Sequence, residues 1–293
     1  MSAGPAASAR PERSVTFTDL AAKKERREPI VMVTAYDHPS AQIADAAGVD
    51  IALVGDSAAM TVLGYDSTVP VTVDEMLMLA SAVRRGLSRA LLVGDLPFGS
   101  YEASDEQAVA TAQRFVKEAG ADAVKVERGG TTVARARAIV AAGIPVMGHV
   151  GLTPQTAVAL GGYRSQGRTA DEALEVCRSA LDLQEAGCFS IVFEAIPSDV
   201  TEAVMPRMHV PVIGIGAGPA TDGQVLVFHD LLGIYHGRAA KFVKRYAELR
   251  ADMIAGVSAY TADVRSGSYP APQHGYAMEA DESARLRELL AGL

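Results

Sequence analysis

The chain contains no tryptophan and only two cysteines among its 293 residues. Two thiols cannot build a disulfide framework, and neither Cys177 nor Cys188 belongs to a Cys/His cluster with zinc spacing. Both read as structural thiols flanking one predicted helix. Long apolar runs are missing as well. Nothing approaches the roughly eighteen residues of a membrane span, and no apolar core near Met1 resembles an export signal. Positive charge is in deficit: 27 Lys and Arg stand against 35 Asp and Glu, a formal net charge of −8. That balance argues against nucleic acid or an anionic membrane as the main partner. There is no Gly-x-Ser-x-Gly nucleophile elbow and no Walker phosphate loop. A soluble, cytoplasmic protein acting on small molecules is expected.

What the chain has is rhythm. From residue 30, short β-branched runs alternate with longer Ala-rich stretches of helical character. The runs are 30–34, 51–54, 90–93, 123–126, 145–148, 190–193 and 211–215, with an eighth and weakest at 224–228. Several helical stretches end in Ala-Gly, as at Ala47-Gly48, Ala119-Gly120, Ala142-Gly143 and Ala186-Gly187, where Gly serves as the left-handed helix C-cap. Seven or eight such units in one chain indicate a closed (β/α)8 TIM barrel, a fold of about 250 residues. The expected organisation is a disordered tail over residues 1–14, a catalytic barrel over 15–276 and a helical tail over 277–293. Thr18 reads as the N-cap of a helix over Asp19 to Arg27, before the first run. A further helix is expected over 249–266. Two long loops, 58–73 and 153–168, follow the second and fifth runs. They should shape the active site, because the βα loops lie on the catalytic face of a barrel.

Polar residues recur where the runs end: Asp56 and Ser57 after the second, Asp95 after the third, Lys125 and Glu127 on the fourth, His149 on the fifth, Glu194 on the sixth. On a closed barrel these ends converge over one mouth. Side chains alternate along a strand, so Lys125 and Glu127 share the face opposite Val124 and Val126. The valines should meet the helices, which sends Lys125 and Glu127 inward, where an unpaired charge is costly. Asp56, Asp95 and Glu127 would not all stay ionised without a cation beside them. Oxygen donors without Cys or paired His favour Mg2+ over zinc. A small 2-oxo acid could share such an ion, which would acidify the carbon next to its ketone. Glu194, two strands from Glu127, is then the natural base, with His149 placed to hydrogen-bond the substrate. The Gly214-Ile215-Gly216-Ala217-Gly218 run lacks dinucleotide spacing and reads as a tight turn with close packing, although an anion could bind there. His209, His229, His236 and His274 read as structural or surface residues.

The motifs also carry a resemblance. Val33-Thr34-Ala35-Tyr36-Asp37, Val54-Gly55-Asp56-Ser57, Asp95-Leu96-Pro97-Phe98, Val124-Lys125-Val126-Glu127, Gly148-His149-Val150-Gly151-Leu152-Thr153-Pro154-Gln155 and Gly161-Gly162-Tyr163 stand in order along the chain. Together they resemble the ketopantoate hydroxymethyltransferase family, within the phosphoenolpyruvate/pyruvate barrel superfamily. The resemblance implies Mg2+ held by Asp56, Asp95 and Glu127. It implies 3-methyl-2-oxobutanoate bound by Asp56, Ser57, Asp95 and Lys125 with His149 nearby, and Glu194 as proton acceptor. It implies 5,10-methylenetetrahydrofolate as one-carbon donor, 2-dehydropantoate and tetrahydrofolate as products in pantothenate synthesis, and a homo-oligomer, a decamer of two pentamers. The family's fourth strand often ends Glu-Gly-Gly, whereas here Arg128 precedes Gly129-Gly130. A carbon–carbon lyase or mutase of the isocitrate-lyase type would share the acids, but such enzymes use a loop cysteine as acid and neither cysteine lies in a strand-end loop. A silent barrel kept for binding should have lost at least one of these acids.

Overall fold

The computed structural model describes residues 14–235, 237 and 240–293. The expected tail over residues 1–14 and the reading of His236 therefore lie almost wholly outside the described residues. Contacts along the chain divide it into two compact units, Met1–Tyr246 and Ala247–Leu293. The expected boundary at residue 276 falls inside the second unit.

The first unit is a closed barrel of eight parallel strands in sequence order. They are β1 (Ile30–Thr34), β2 (Ile51–Val54), β3 (Leu91–Asp95), β4 (Ala123–Lys125), β5 (Val146–Gly151), β6 (Ser190–Glu194), β7 (Val212–Ile215) and β8 (Gly223–Leu226). All eight expected runs are strands. Closure is made by β1 on β8, with Met32 opposite Val225.

The first helix is α1 (Phe17–Arg26), capped by Thr16 rather than by Thr18. Thr16 has an acidic residue three positions on, so a reciprocal capping box forms: Thr16 Oγ1 accepts from the Asp19 N–H at 3.2 Å, and Asp19 Oδ2 accepts from the Thr16 N–H at 2.9 Å. Five helices, α2 (His38–Ala46), α4 (Val73–Gly86), α5 (Asp105–Ala119), α6 (Thr131–Ala141) and α7 (Ala170–Glu185), pack side by side outside the barrel, and α8 (Ser198–Val204) extends the row. Two single turns, α3 (Ala58–Thr61) and α9 (Phe228–Leu231), follow β2 and β8. Gly48, Gly120, Gly143 and Gly187 take φ of 82°, 68°, 87° and 96°, the left-handed caps expected of them. Cys177 lies within α7 and Cys188 just beyond it, so the pair does not flank the helix; both thiols are free.

Two apolar layers result. Outward-facing Val124, Val126, Ile191 and Val212 pack under the helices. Inward-facing Ile30, Met32, Ile51, Leu53, Leu91, Val93, Ala123, Met147, Val192 and Ile213 fill the lower barrel, which Leu20 of α1 closes from beneath. Moving up β1, β3, β4, β5 and β6 by two residues, the interior turns polar: Thr34, Asp95, Lys125, His149 and Glu194 stand on the inward faces. The functional residues are thus the top layer of the same alternation that builds the core.

The second unit holds two helices, α10 (Leu249–Ser266) and α11 (Ala280–Ala291), at the expected positions. No described helix is long and apolar enough to cross a membrane.

Candidate functional site

All seven polar residues singled out above, Asp56, Ser57, Asp95, Lys125, Glu127, His149 and Glu194, line one cavity of about 170 Å3 at the upper end of the barrel. Asp95 and Lys125 are register partners on β3 and β4. The Lys125 ammonium donates to both Asp95 carboxylate oxygens at 2.7 Å and to Glu127 Oε1 at 3.3 Å. His149 Nδ1 lies 3.1 Å from that same Glu127 oxygen. Its Nε2 is 3.3 Å from Glu194 Oε2, within ion-pair reach but off the hydrogen-bond line. His149 therefore stands between the two glutamates, and Glu194 is kept apart from the inner acids. Ser57 turns its hydroxyl to Tyr36 Oη at 2.8 Å.

Glu127 is fixed from several sides. Its backbone N–H donates to Tyr101 Oη at 3.2 Å, and its Oε2 accepts from the Gln155 N–H at 3.2 Å. Tyr101 in turn donates to Gln155 Oε1 at 2.7 Å, and Gln155 Nε2 donates to the Leu96 carbonyl at 2.9 Å. Tyr101 and Gln155 are buried positioning residues that the pattern of strand ends did not reveal. The Thr153-Pro154-Gln155 segment was legible only as a motif; nothing in its composition marks Gln155 as a partner of Glu127.

The electrostatics are those of charges crowded together at buried positions. Burial pushes the Asp56 carboxyl well above the usual range, and the charges of Asp95 and Glu127 push it further. Burial also raises Asp95, only partly offset by Lys125. Burial works against ionisation of Glu127 too, but there Lys125 and His149 prevail and hold it at about 2. Burial disfavours the Lys125 charge, yet Asp95, Glu127 and Asp56 keep the ammonium well above the ordinary lysine range. Burial and Lys125 oppose protonation of His149, while Glu127 and Glu194 favour it and bring it up to about 9.

Two buried atoms of this network lack a hydrogen-bond partner, His149 Nε2 and the carboxylate oxygen Oδ2 of Asp56. Asp56, Asp95 and Glu127 each offer an oxygen within 4.8 Å of the others. Three buried carboxylate oxygens converging on one point, one of them unpartnered, are a set that can hold a hard divalent cation, and such an ion would return their affinities toward the ionised form.

Comparison with known sequences decides between the enzyme classes that share such acids. The sequence profile of the family described as ketopantoate hydroxymethyltransferase matches residues 14–272. The chain belongs to the ketopantoate hydroxymethyltransferase family. Among its relatives in that family, the Oleidesulfovibrio alaskensis protein named 3-methyl-2-oxobutanoate hydroxymethyltransferase is 50% identical over 280 residues, 96% of each chain. The Moorella thermoacetica protein of the same name is 53% identical over 262 residues, covering 89% of this chain and 97% of the relative. Solved structures show the family's fold in wider company. A phosphonopyruvate hydrolase in complex with oxalate and Mg++ superposes with a TM-score of 0.59 at 15% identity, covering 94% of this chain and 98% of that one. A 2,3-dimethylmalate lyase of the PEP mutase/isocitrate lyase superfamily gives 0.55 at 17%, with the same coverages. At these identities the likeness is one of fold. Neither Cys177 nor Cys188 lines the cavity.

Proposed function

We propose that this barrel transfers a hydroxymethyl group from 5,10-methylenetetrahydrofolate to 3-methyl-2-oxobutanoate, with water, giving 2-dehydropantoate and tetrahydrofolate on the way to pantothenate. The carrying observation is the separation of acids within one cavity. Three buried carboxylates with an unpartnered oxygen form one group, and Glu194 stands outside it beyond His149.

In this reading Asp56, Asp95 and Glu127 hold Mg2+, consistent with an all-oxygen donor set. When bound, the ion supplies Lewis-acid stabilisation of the enolate oxygen of the oxo acid. Lys125 offsets the excess negative charge where the substrate carboxylate arrives, and its contact with Asp95 fixes its position. The Ser57 hydroxyl, held by Tyr36, and the His149 imidazole orient the bound acid. Glu194 takes the C3 proton. It stands outside the triad and next to His149, so a cation held by the triad would not capture it. The C3 electron pair then forms the new bond to the methylene carbon of the ring-opened donor, and water releases tetrahydrofolate.

The test separates enolisation from transfer. With Mg2+ and 3-methyl-2-oxobutanoate in D2O and no folate, the C3 proton exchanges for deuterium, followed by NMR. Chelation with EDTA stops exchange, and Glu194→Gln lowers it by about 10²- to 10⁴-fold. An unaltered rate in Glu194→Gln would remove Glu194 as the base.

For assembly we propose a homo-oligomer. An apolar groove of about 610 Å3 lies over β1 and β8, where Val31 is 50% and Ile43 54% exposed. Among the described residues of the barrel unit no long helix follows β8, so this face lacks the cover that α2 and α4–α7 give their strands. A second copy is the occupant that would bury it.

A further inference from the structure

The cavity that holds the acid triad has a further carboxylate that the transfer does not use. Asp230 of α9 lines it together with Asp56, Asp95, Glu127 and Glu194. It stands half-buried in the single turn after β8, and β7 separates it from Glu194 at the end of β6. Tyr36, whose hydroxyl holds Ser57 at 2.8 Å, feels its charge. Burial pushes the phenol up to about 12, the hydroxyls of Ser57, Thr34 and Thr61 oppose this, and Asp230 adds to it.

Nothing around Asp230 accounts for a charge there. Among the described residues no hydrogen bond or ion pair reaches its carboxylate. Only its backbone is engaged, with the N–H donating to the Val227 carbonyl at 3.1 Å. The rest of that wall is apolar: Ile215 of β7, Val225 of β8, and Val227 and Val243 beside them. Burial accordingly raises the Asp230 carboxyl above its usual range, against the opposing charge of Arg245. A carboxylate without a partner costs free energy in such a wall. It also adds negative charge to a space already lined by four other carboxylates. An apolar side chain would complete the wall without either cost, which directs attention to what the charge does to an entering ligand.

We propose that Asp230 is a specificity-determining residue: it admits 2-oxo acids whose far end is apolar and rejects those that end in a second carboxylate. The inference rests on the reading of this cavity as a 2-oxo acid site. In that reading the carboxylate and ketone of 3-methyl-2-oxobutanoate face the triad and Lys125. Its branched end then meets the wall of Ile215, Val225 and Val227, with Asp230 next to it. A methyl group tolerates that neighbour. A second carboxylate would set two like charges side by side, at a half-buried position where the repulsion exceeds its value in water. The one ammonium lining the cavity cannot relieve it, because Lys125 is engaged by Asp95 and Glu127. Rejection of this kind requires no contact with the correct substrate, only a penalty on the wrong one.

The experiment uses two ligands of one shape, 2-oxoglutarate and 5-methyl-2-oxohexanoate, which differ in charge at the far end. Calorimetric titration with Mg2+ gives Kd for each. In the unsubstituted enzyme 2-oxoglutarate should bind about tenfold more weakly. In Asp230→Asn and in Asp230→Ser most of that gap closes, whereas Asp230→Glu keeps it. A merely structural role for Asp230 would move both affinities together and leave their ratio unchanged. The proposal is overturned if the ratio in both neutral variants equals that of the unsubstituted enzyme, or if the unsubstituted enzyme shows no gap. Deuterium exchange at C3 of 3-methyl-2-oxobutanoate, measured without folate in the unsubstituted enzyme, keeps the two ideas separate. If exchange occurs and the ratio ignores Asp230, this assignment fails and the enolate reading stands. If the ratio follows Asp230 and exchange is absent, charge selection stands and the transfer reading fails.

Discussion

At the residue scale, the glutamate two residues past β4 and the glutamate that ends β6 share a backbone peculiarity. Each is followed by a non-glycine residue in the left-handed region, Arg128 at φ 77° and Ala195 at φ 49°. Left-handed backbone costs an L-residue about 1–2 kcal/mol. Here it turns the chain sharply just past Glu127 and Glu194, and the Arg128 N–H is tied to the His149 carbonyl at 2.9 Å. The turn is therefore imposed by the strand ends and not by local preference. Arg128 is also where this sequence departs from the Glu-Gly-Gly pattern of its family. We expect Arg128→Gly to raise stability, by about 1 kcal/mol or less, since relief of strain is partly offset by the extra freedom of unfolded glycine. Denaturant unfolding measures it, and a loss of stability would show that the arginine side chain contributes more than its backbone costs. Most residues of the cavity were legible because they obey the period of two along strands whose lower parts are apolar. Tyr101 and Gln155 were not, because they sit in loops where no period exists and their partner is set by tertiary structure.

At the scale of elements, a repeated device sets the strands in register. Asp50, Asp122 and Asp222 each stand one residue before an even-numbered strand, β2, β4 and β8. Each accepts a hydrogen bond from a backbone N–H of the preceding odd strand: Val31 at 2.9 Å, Leu92 at 2.8 Å and Val212 at 2.8 Å. Each carboxylate is paired with a cation, Lys23, Arg84 and Lys24 respectively. The sequence carries a trace of this in Ala47-Gly48-Val49-Asp50 and Ala119-Gly120-Ala121-Asp122, where the glycine cap is followed two positions later by the acid. Asp50 is the most buried of the three. We predict that Asp50→Ala destabilises the barrel by about 2–3 kcal/mol, as expected for a lost charge-assisted bond that strands a buried N–H. A shift of the unfolding midpoint no larger than that of a surface substitution would mean that water replaces the carboxylate. The eighth strand was the least legible element for a related reason. β8 has four residues and opens on Gly223 and Gln224, and Gln224 faces outward where no described helix of the unit covers it, so only the short run from Val225 marks the strand. The misplaced cap of α1 has a simpler cause: two threonines compete, and the one with an acid three residues on prevails.

At the scale of the molecule, the apolar face over β1 and β8 lies half exposed, with Val31 and Ile43 on it. If copies meet there, Ile43→Glu, an outward position on α2, should convert the assembly to smaller species in sedimentation or light scattering while the far-ultraviolet dichroism stays unchanged. An unchanged mass would place the interface elsewhere. The overall architecture was legible from the alternation of runs and caps alone, since eight βα units in one chain leave few alternatives to closure. The division at residue 246 was not, because α10 continues the same helical pattern and only contacts distinguish it.

Closure itself has a consequence for how the protein is made. β1 finds its second neighbour only in β8, and Lys24 of α1 meets Asp222 across 198 positions of sequence. While the chain emerges from the ribosome, one edge of β1 and the apolar residues beneath it must wait through nearly the whole synthesis of the unit before they are covered. Such long-range pairing is slow and leaves the nascent strand open to wrong partners. The ion pairs of Lys23 and Lys24 then gain a temporal meaning: Lys23 can engage Asp50 almost at once, whereas Lys24 must wait for Asp222. The first holds α1 near its final place at the floor of an unfinished barrel, and the second is made only when the last strand arrives.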